Sequence, residues 1–72
     1  MKAFIDEDLL RKVELKTKGS DVHTIRNWIG KYRSWGKDEK HKIKTAEQAF
    51  HRFVAGVPLG EIKEAKVFLN WN

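Results

Sequence analysis

The segment that begins at Gly19 constrains the fold of this chain more strongly than any other. After this glycine, apolar residues recur three or four positions apart, which is the spacing of one face of an α-helix. Gly19 accepts the positive φ of a tight turn, and Gly36 suits the end of the helix. Ser20 or Asp21 suits its N-terminal cap. The sequence therefore predicts a helix over residues 21–35, anchored by one apolar stripe that consists of Val22, Ile25, Trp28 or Ile29, Tyr32 and Trp35.

A first helix is predicted over residues 6–17. Asp6 offers an N-terminal cap, and the acidic run 6–8 complements the positive end of the helix dipole. Residues 13–17 also alternate with period two, which leaves the end of this segment open between helix and strand. The predicted apolar face consists of Leu9, Leu10 and Val13.

Two further helices are predicted in the second half of the chain. Thr45 and Gln48 have the spacing of a capping box, which favours a helix over residues 45–55 that Gly56 ends. Pro58 suits the first position of a helix over residues 58–70. The expected apolar faces are Ala46, Ala49, Phe50, Phe53 and Val54 in the third helix and Leu59, Ile62, Ala65, Phe68 and Leu69 in the fourth, with Trp71 closing the core. Between the second and third helices, residues 37–42 are predicted to form a charged loop and residues 41–44 a short strand or the edge of a wing.

The length and composition of the chain predict a single small domain over residues 1–72. We expect an all-α fold, a compact bundle of three to four short helices that contains a helix-turn-helix, with or without a short β wing. A chain of 72 residues without cysteine has a small core, no disulfide and no thiolate metal site. No apolar run approaches the ~20 residues of a membrane span, and the charged N-terminus lacks the core of a signal peptide. The sequence therefore predicts a cytoplasmic protein that does not contact a membrane.

Nearly all of the net charge of +5 lies between residues 19 and 44. This segment carries seven basic and three acidic residues, whereas residues 1–18 carry five and four and residues 45–72 carry three of each. Two explanations are open: a polyanionic partner, or a lysine-rich loop that keeps the protein soluble.

The outer face of the predicted second helix favours a nucleic-acid partner. His23, Arg26 and Asn27 point away from the apolar stripe. Arg and Asn have the bidentate geometry that guanine and adenine edges require, and a turn followed by such a helix is typical of a helix-turn-helix. We therefore predict that the helix over 21–35 is a recognition helix. The expected contacts to double-stranded DNA are His23, Thr24, Arg26, Asn27, Lys31, Arg33, Lys37, Lys40, Lys42 and Lys44.

The order of segments between Val22 and Phe53 resembles the small excisionases of phages and transposons. The helix that reads Thr24-Ile25-Arg26-Asn27-Trp28-Ile29 is followed by the basic aromatic stretch 31–35, a charged loop, the short segment 42–44 and a helix with paired aromatic residues. The fold of these excisionases is a winged helix related to the DNA-binding domain of MerR-type proteins. The resemblance implies that Arg26 and Asn27 read bases in the major groove and that residues 37–44 form a wing at the neighbouring minor groove. It implies a regulator or recombination accessory factor of a phage or mobile element.

The sequence argues against an enzyme. It contains no glycine-rich phosphate-binding loop, and Ser20 and Ser34 do not lie in the sequence context of a nucleophile. His23, His41 and His51 are ten or more positions apart, so no i,i+4 pair is available to hold a metal. We predict no catalytic residue, metal ion, cofactor or small-molecule substrate.

Protein binding is the main alternative function. The chain has three Trp, four Phe and one Tyr, which is more than a small core requires, and Trp, Tyr and Arg are the usual anchors of interfaces. We expect Trp35 and Trp71 to contact a partner, either a second copy of this chain or another DNA-bound protein. Under the alternative, the chain is a phage-type module that inhibits or redirects a host protein. RNA binding, with aromatic residues as stacking platforms, remains open as well.

Overall fold

The computed structural model describes residues 5–69, which contain four α-helices and no strand. The helices are α1 (Glu7–Lys16), α2 (Asp21–Ser34), α3 (Lys40–Val54) and α4 (Lys66–Leu69). Three single 3₁₀ turns, Lys37–Glu39, Leu59–Glu61 and Lys63–Ala65, connect them. The predicted all-α bundle is confirmed. The alternative with a β wing is wrong for residues 41–44, because these residues lie inside α3.

The start of α1 is stabilised by local interactions that the sequence predicted. The Asp6 carboxylate accepts a hydrogen bond from the backbone N–H of Leu9 at 3.1 Å, which caps the helix. Glu7 and Asp8 occupy the first turn, near the positive end of the helix dipole. The strand alternative for residues 13–17 is wrong, because α1 continues to Lys16.

A tight turn joins α1 to α2, as predicted. Gly19 has a φ of +64°, the left-handed conformation that favours glycine. Ser20 is the residue before α2, but its side chain makes no capping hydrogen bond, so that part of the prediction is wrong. Gly36 does not end α2 with a positive φ either. The helix ends because Trp35 takes an extended conformation and turns its ring into the core.

The third helix begins five residues earlier than predicted, at Lys40 rather than Thr45. The predicted capping box is absent, because the Thr45 hydroxyl donates to the backbone oxygen of His41 one turn earlier in the same helix. The reason for the longer helix is Ile43, which is 5 % exposed. It extends the apolar stripe by one turn, and lysine does not oppose helix formation. The predicted stripe residues Ala46, Ala49, Phe50 and Phe53 are buried as expected.

The C-terminal end of α3 is a Schellman motif centred on Gly56. This glycine has a φ of +107°, and its N–H donates to the oxygen of Phe53. The N–H of Val57 donates to the oxygen of Arg52 at 3.0 Å, which completes the pair of bonds that defines the motif. The predicted stop at Gly56 is therefore confirmed, together with its physical reason.

The predicted helix over residues 58–70 is mostly wrong. Two 3₁₀ turns precede α4, which has four residues. Gly60 weakens an α-helix, and the buried residues Ile62, Ala65 and Phe68 are spaced by three, which fits the three residues per turn of a 3₁₀ helix. Leu69, predicted to be in the core, is 75 % exposed. Trp71 lies outside the described residues.

Aromatic rings fill the centre of the core. Phe68 stacks on Trp28 with ring centroids 4.7 Å apart and on Trp35 at 5.6 Å. Tyr32 meets both Phe50 and Trp35 edge to face. Five rings from α2, α3, α4 and the residue after α2 therefore form one cluster, which holds the two longest helices in place.

The Tyr32 hydroxyl joins three helices at one oxygen. It accepts a hydrogen bond from the backbone N–H of Asp6, before α1, and donates one to the Glu47 carboxylate of α3. Burial raises the pKa of the Tyr32 phenol above its ordinary value, and the hydrogen bond to Glu47 raises it further. The phenol therefore stays protonated and keeps its donor role.

Candidate nucleic-acid interface

The outer face of α2 carries the residues that were predicted to read bases. Ile25, Trp28, Ile29 and Tyr32 turn toward the core, which leaves His23, Asn27, Gly30 and Ser34 in a row on the opposite side. Arg26 lies at the edge of this row, on the rim of a shallow groove between α1 and α2. His23, Arg26 and Asn27 are exposed, and none of them forms a hydrogen bond or ion pair with a residue in the range 5–69. The fold does not use these three side chains.

Gly30 occupies the middle of this outer face without a structural reason. A Cβ atom built there would meet nothing within 4 Å, and its φ is not positive. Inside a helix, glycine costs about 1 kcal/mol relative to alanine. The glycine therefore lowers the stability of α2 and leaves the helix backbone open to close approach from outside.

Two of the predicted cations on α2 bind within the protein. Arg33 forms a bidentate ion pair with Glu7 of α1, with both N–O distances at 2.8 Å. Lys31 donates to the backbone oxygen of Phe68 at 3.1 Å and so fastens α2 to α4. Thr24 is half-buried and lines a groove together with Trp28 and residues of the segment 59–69. Arg33 and Lys31 therefore help to hold the domain together.

The lysines of the predicted wing lie on helical turns. Lys37 is exposed in the 3₁₀ turn, and Lys40 and Lys44 are exposed one turn apart on α3. None of the three pairs with a carboxylate in the part of the chain that the structure describes. Lys42 differs: it forms an ion pair with Glu39 at 3.1 Å, and its Nζ lies 6.0 Å from the ring centroid of Trp35.

The longer α3 creates a surface that the sequence reasoning missed. Its buried stripe leaves an opposite side on which exposed residues recur three or four positions apart. We call this side the α3 face and define it by Lys40, His41, Lys44, Gln48 and His51. The signal in the sequence was Ile43, which has the spacing of the stripe that follows it.

The cations at the start of α3 oppose the helix dipole. The first turn contains Lys40, His41 and Lys42 and no acidic residue, and Glu39 makes no capping hydrogen bond with its side chain. Positive charge near a helix N-terminus typically costs 0.3–1 kcal/mol per site, as the reverse of the stabilisation that an acidic residue gives there. Lys40 therefore does not stabilise the helix that carries it, whereas the charge of Lys42 is balanced by its ion pair with Glu39.

Trp35 does not serve as an exposed partner contact. Only 4 % of its surface is exposed, because it lies between Phe68, Tyr32 and the side chain of Lys42. Trp28 and Tyr32 are buried as well, so the two described tryptophans and the tyrosine belong to the core. Trp71, the other predicted contact, lies outside the described residues. Among residues 5–69, the exposed large apolar side chains are Leu15 at 79 %, Leu69 at 75 % and Val22 at 38 %, and Val22 was predicted to anchor α2.

Within residues 5–69, no group of three or more His, Asp or Glu side chains is placed to hold a metal ion. None of the helices described there is long and apolar enough to cross a membrane. No protein family, curated protein or solved structure matched the chain. The function is therefore inferred from the exposure, charge and contacts of the described residues.

Proposed function

We propose that this protein binds double-stranded DNA and that α2 is its recognition helix. The observation that carries the proposal is the outer face of α2, where His23, Arg26 and Asn27 are exposed and have no partner among the described residues. A turn with a left-handed glycine precedes this helix, and α1 precedes the turn, which is the order of a helix-turn-helix. In this arrangement Arg26 and Asn27 read base edges.

Gly30 adds independent support. Close approach of the helix backbone to the wall of a DNA groove explains a glycine that weakens α2 and that no packing contact requires. Lys31 and Arg33 are not needed as contacts, since their side chains bind within the protein. Lys37 is left to contact phosphate from the end of α2.

A single short recognition helix limits the affinity for one site. Single DNA-binding modules bury about 600–1,000 Å² of protein surface, so selective occupancy requires a second copy on a neighbouring site or another DNA-bound protein. This requirement fits a regulator or recombination accessory factor of a phage or mobile element, and we include that role in the proposal.

The test is a titration of labelled DNA duplexes with Arg26→Ala, followed by fluorescence anisotropy. A preferred site is first selected from a random duplex pool. On that site Arg26→Ala should weaken binding by about 1–3 kcal/mol, while binding to random duplex should change little. Arg11→Ala is the matched control, because Arg11 is an exposed arginine on α1 without an ion pair in residues 5–69.

Three results would contradict the proposal. Equal losses on preferred and random duplex would make Arg26 a phosphate contact. Tighter binding to single-stranded RNA than to duplex would favour the RNA alternative. Absence of duplex binding below the ~10⁻⁴–10⁻⁶ M range of non-specific affinity, together with capture of a stoichiometric protein partner, would favour the protein-binding alternative.

A second test uses Gly30→Ala, which should change folding and binding in opposite directions. The added methyl meets no atom, so the free energy of unfolding should rise by about 0.5–1 kcal/mol. On the preferred duplex the same methyl should lower affinity, because it stands between the helix backbone and the DNA. Thermal melting and anisotropy measure the two effects. A stabilised variant with unchanged affinity would show that DNA does not approach this side of α2.

A further inference from the structure

We propose that the α3 face is a second DNA-binding surface, which contacts the phosphate backbone and not the bases. This assignment rests on the duplex binding proposed above, but it concerns a different helix. Two lysines that were expected to contact DNA from a wing, Lys40 and Lys44, would instead contact it from α3. The assignment also adds His41, Gln48 and His51, none of which belonged to the predicted set.

The geometry of the α3 face suits a run of phosphates. Its five residues lie along one side of a 15-residue helix, and the rise of 1.5 Å per residue puts Lys40 and His51 about 16 Å apart along the axis. Lys40 and Lys44 are one turn apart, as are Lys44 and Gln48. The face therefore presents an extended row of hydrogen-bond donors rather than a single charge.

Three of the carboxylates near the α3 face are already bound to other residues of the protein. Glu39 pairs with Lys42, Glu47 accepts from the Tyr32 hydroxyl, and Glu64 pairs with Arg52 at 2.8 Å. Lys40 and Lys44 form no ion pair within the described part of the chain. Their charges therefore remain available to an outside anion.

The chemistry of the α3 face favours backbone contact over base reading. It lacks the exposed Arg and Asn pair of α2, and lysine binds phosphate as a point charge. Phosphate contacts fix orientation and carry no sequence information. The two helices therefore have different roles, since α2 supplies sequence preference and the α3 face supplies affinity that depends on salt.

The experiment compares two double variants of the whole chain. Lys40→Ala with Lys44→Ala removes both lysines of the α3 face. Lys63→Ala with Lys66→Ala removes two exposed lysines near the C-terminus that likewise have no ion pair among residues 5–69, and it is the matched control. Each is titrated against the preferred duplex and a random duplex at four salt concentrations. Circular dichroism melting checks the fold.

For the α3 variant, the slope of log affinity against log salt should fall by about 1.8, since each phosphate contact contributes about 0.9. Near 0.1 M salt this corresponds to a loss on the order of 10- to 100-fold, equal on both duplexes. The control pair should leave the slope within about 0.3 of the wild type. The melting temperature of the α3 variant should not fall, because the variant removes the Lys40 charge from the first turn and places alanine, the best helix former, at both positions.

The outcomes separate the two proposals. In one outcome, the α3 variant and the control pair have the same salt slope, while Arg26→Ala binds the preferred duplex more weakly. This result would overturn phosphate contact by the α3 face and leave base reading by α2 intact. In the opposite outcome, the salt slope of the α3 variant falls, while Arg26→Ala binds both duplexes as Arg11→Ala does. This result would support phosphate contact by the α3 face and overturn base reading by α2. Absence of duplex binding by the wild type overturns both.

Discussion

Helices α1 and α3 pack against each other but begin in opposite ways. At the start of α1, Asp6 caps the helix and two acidic residues occupy the first turn. At the start of α3 there is no side-chain cap, and the first turn contains only basic residues among its charged positions. The start of α1 is therefore stabilised by its own residues, whereas the start of α3 depends on Ile43, which packs in the core behind it.

The largest effect is expected from Ile43→Ala, which removes the packing behind the start of α3. Truncation of a buried isoleucine typically costs about 2–5 kcal/mol. We also expect α3 to lose helix up to about Thr45, since no side chain caps its first turn. Urea denaturation and circular dichroism measure the two changes. Val22→Ala, at a position of α2 that is 38 % exposed, is the control and should change stability by about 0.5 kcal/mol or less. Equal losses from both variants would mean that α3 does not depend on Ile43.

Asp6→Ala tests the opposite case and should have an intermediate effect. Loss of the cap should lower the free energy of unfolding by about 0.5–2 kcal/mol. The matched substitution near the start of α3 is Asp38→Ala, which removes an exposed acid that caps nothing and should cost less than half as much. Denaturation of both variants at one pH makes the comparison. If Asp38→Ala lowered the free energy of unfolding more than Asp6→Ala does, the start of α3, and not that of α1, would be the one stabilised by a local acid.

Lys40→Glu should have the smallest effect on folding, with the opposite sign. An acidic residue in the first turn of α3 should raise stability by about 0.3–1 kcal/mol at low salt. If the α3 face contacts phosphate as proposed, the same change should also weaken duplex binding, because it places a negative charge on that face. Melting at low and high salt measures the first effect, and Lys63→Glu is its control. A melting temperature below that of the wild type would contradict the argument that Lys40 is costly to the fold.

Those parts of the fold that depend on neighbouring residues could be predicted from the sequence. The cap at Asp6, the turn at Gly19 and the stop at Gly56 each involve side chains or φ angles within a few positions. The start of α3 could not be predicted in this way, because a run of lysine and histidine suggests a loop. Only one isoleucine, Ile43, indicates that the helix begins earlier. The C-terminal segment could not be predicted for a related reason, since apolar residues spaced by three also fit one face of an α-helix.

The candidate site was predicted in part. The exposure of His23, Arg26 and Asn27 followed from the helical period of α2 alone. The burial of Trp35 and the hydrogen bond of Lys31 both depend on Phe68, which is more than thirty positions away. Contacts of that sequence separation leave no local pattern, so their effect on the candidate site is visible only in the folded chain.

The Tyr32 hydroxyl gives the domain an all-or-none character. Its two hydrogen bonds connect residues 26 and 15 positions away: the bond from Asp6 requires α1 to be docked on α2, and the bond to Glu47 requires α3 to be docked on α2. Undocking of any one of the three helices breaks at least one of them and leaves a phenol in an apolar core without a full set of partners. Partial unfolding is therefore disfavoured at this point. Hydrogen exchange at the amide of Asp6, near the beginning of the chain, reports the docking of α1 onto Tyr32 in the core.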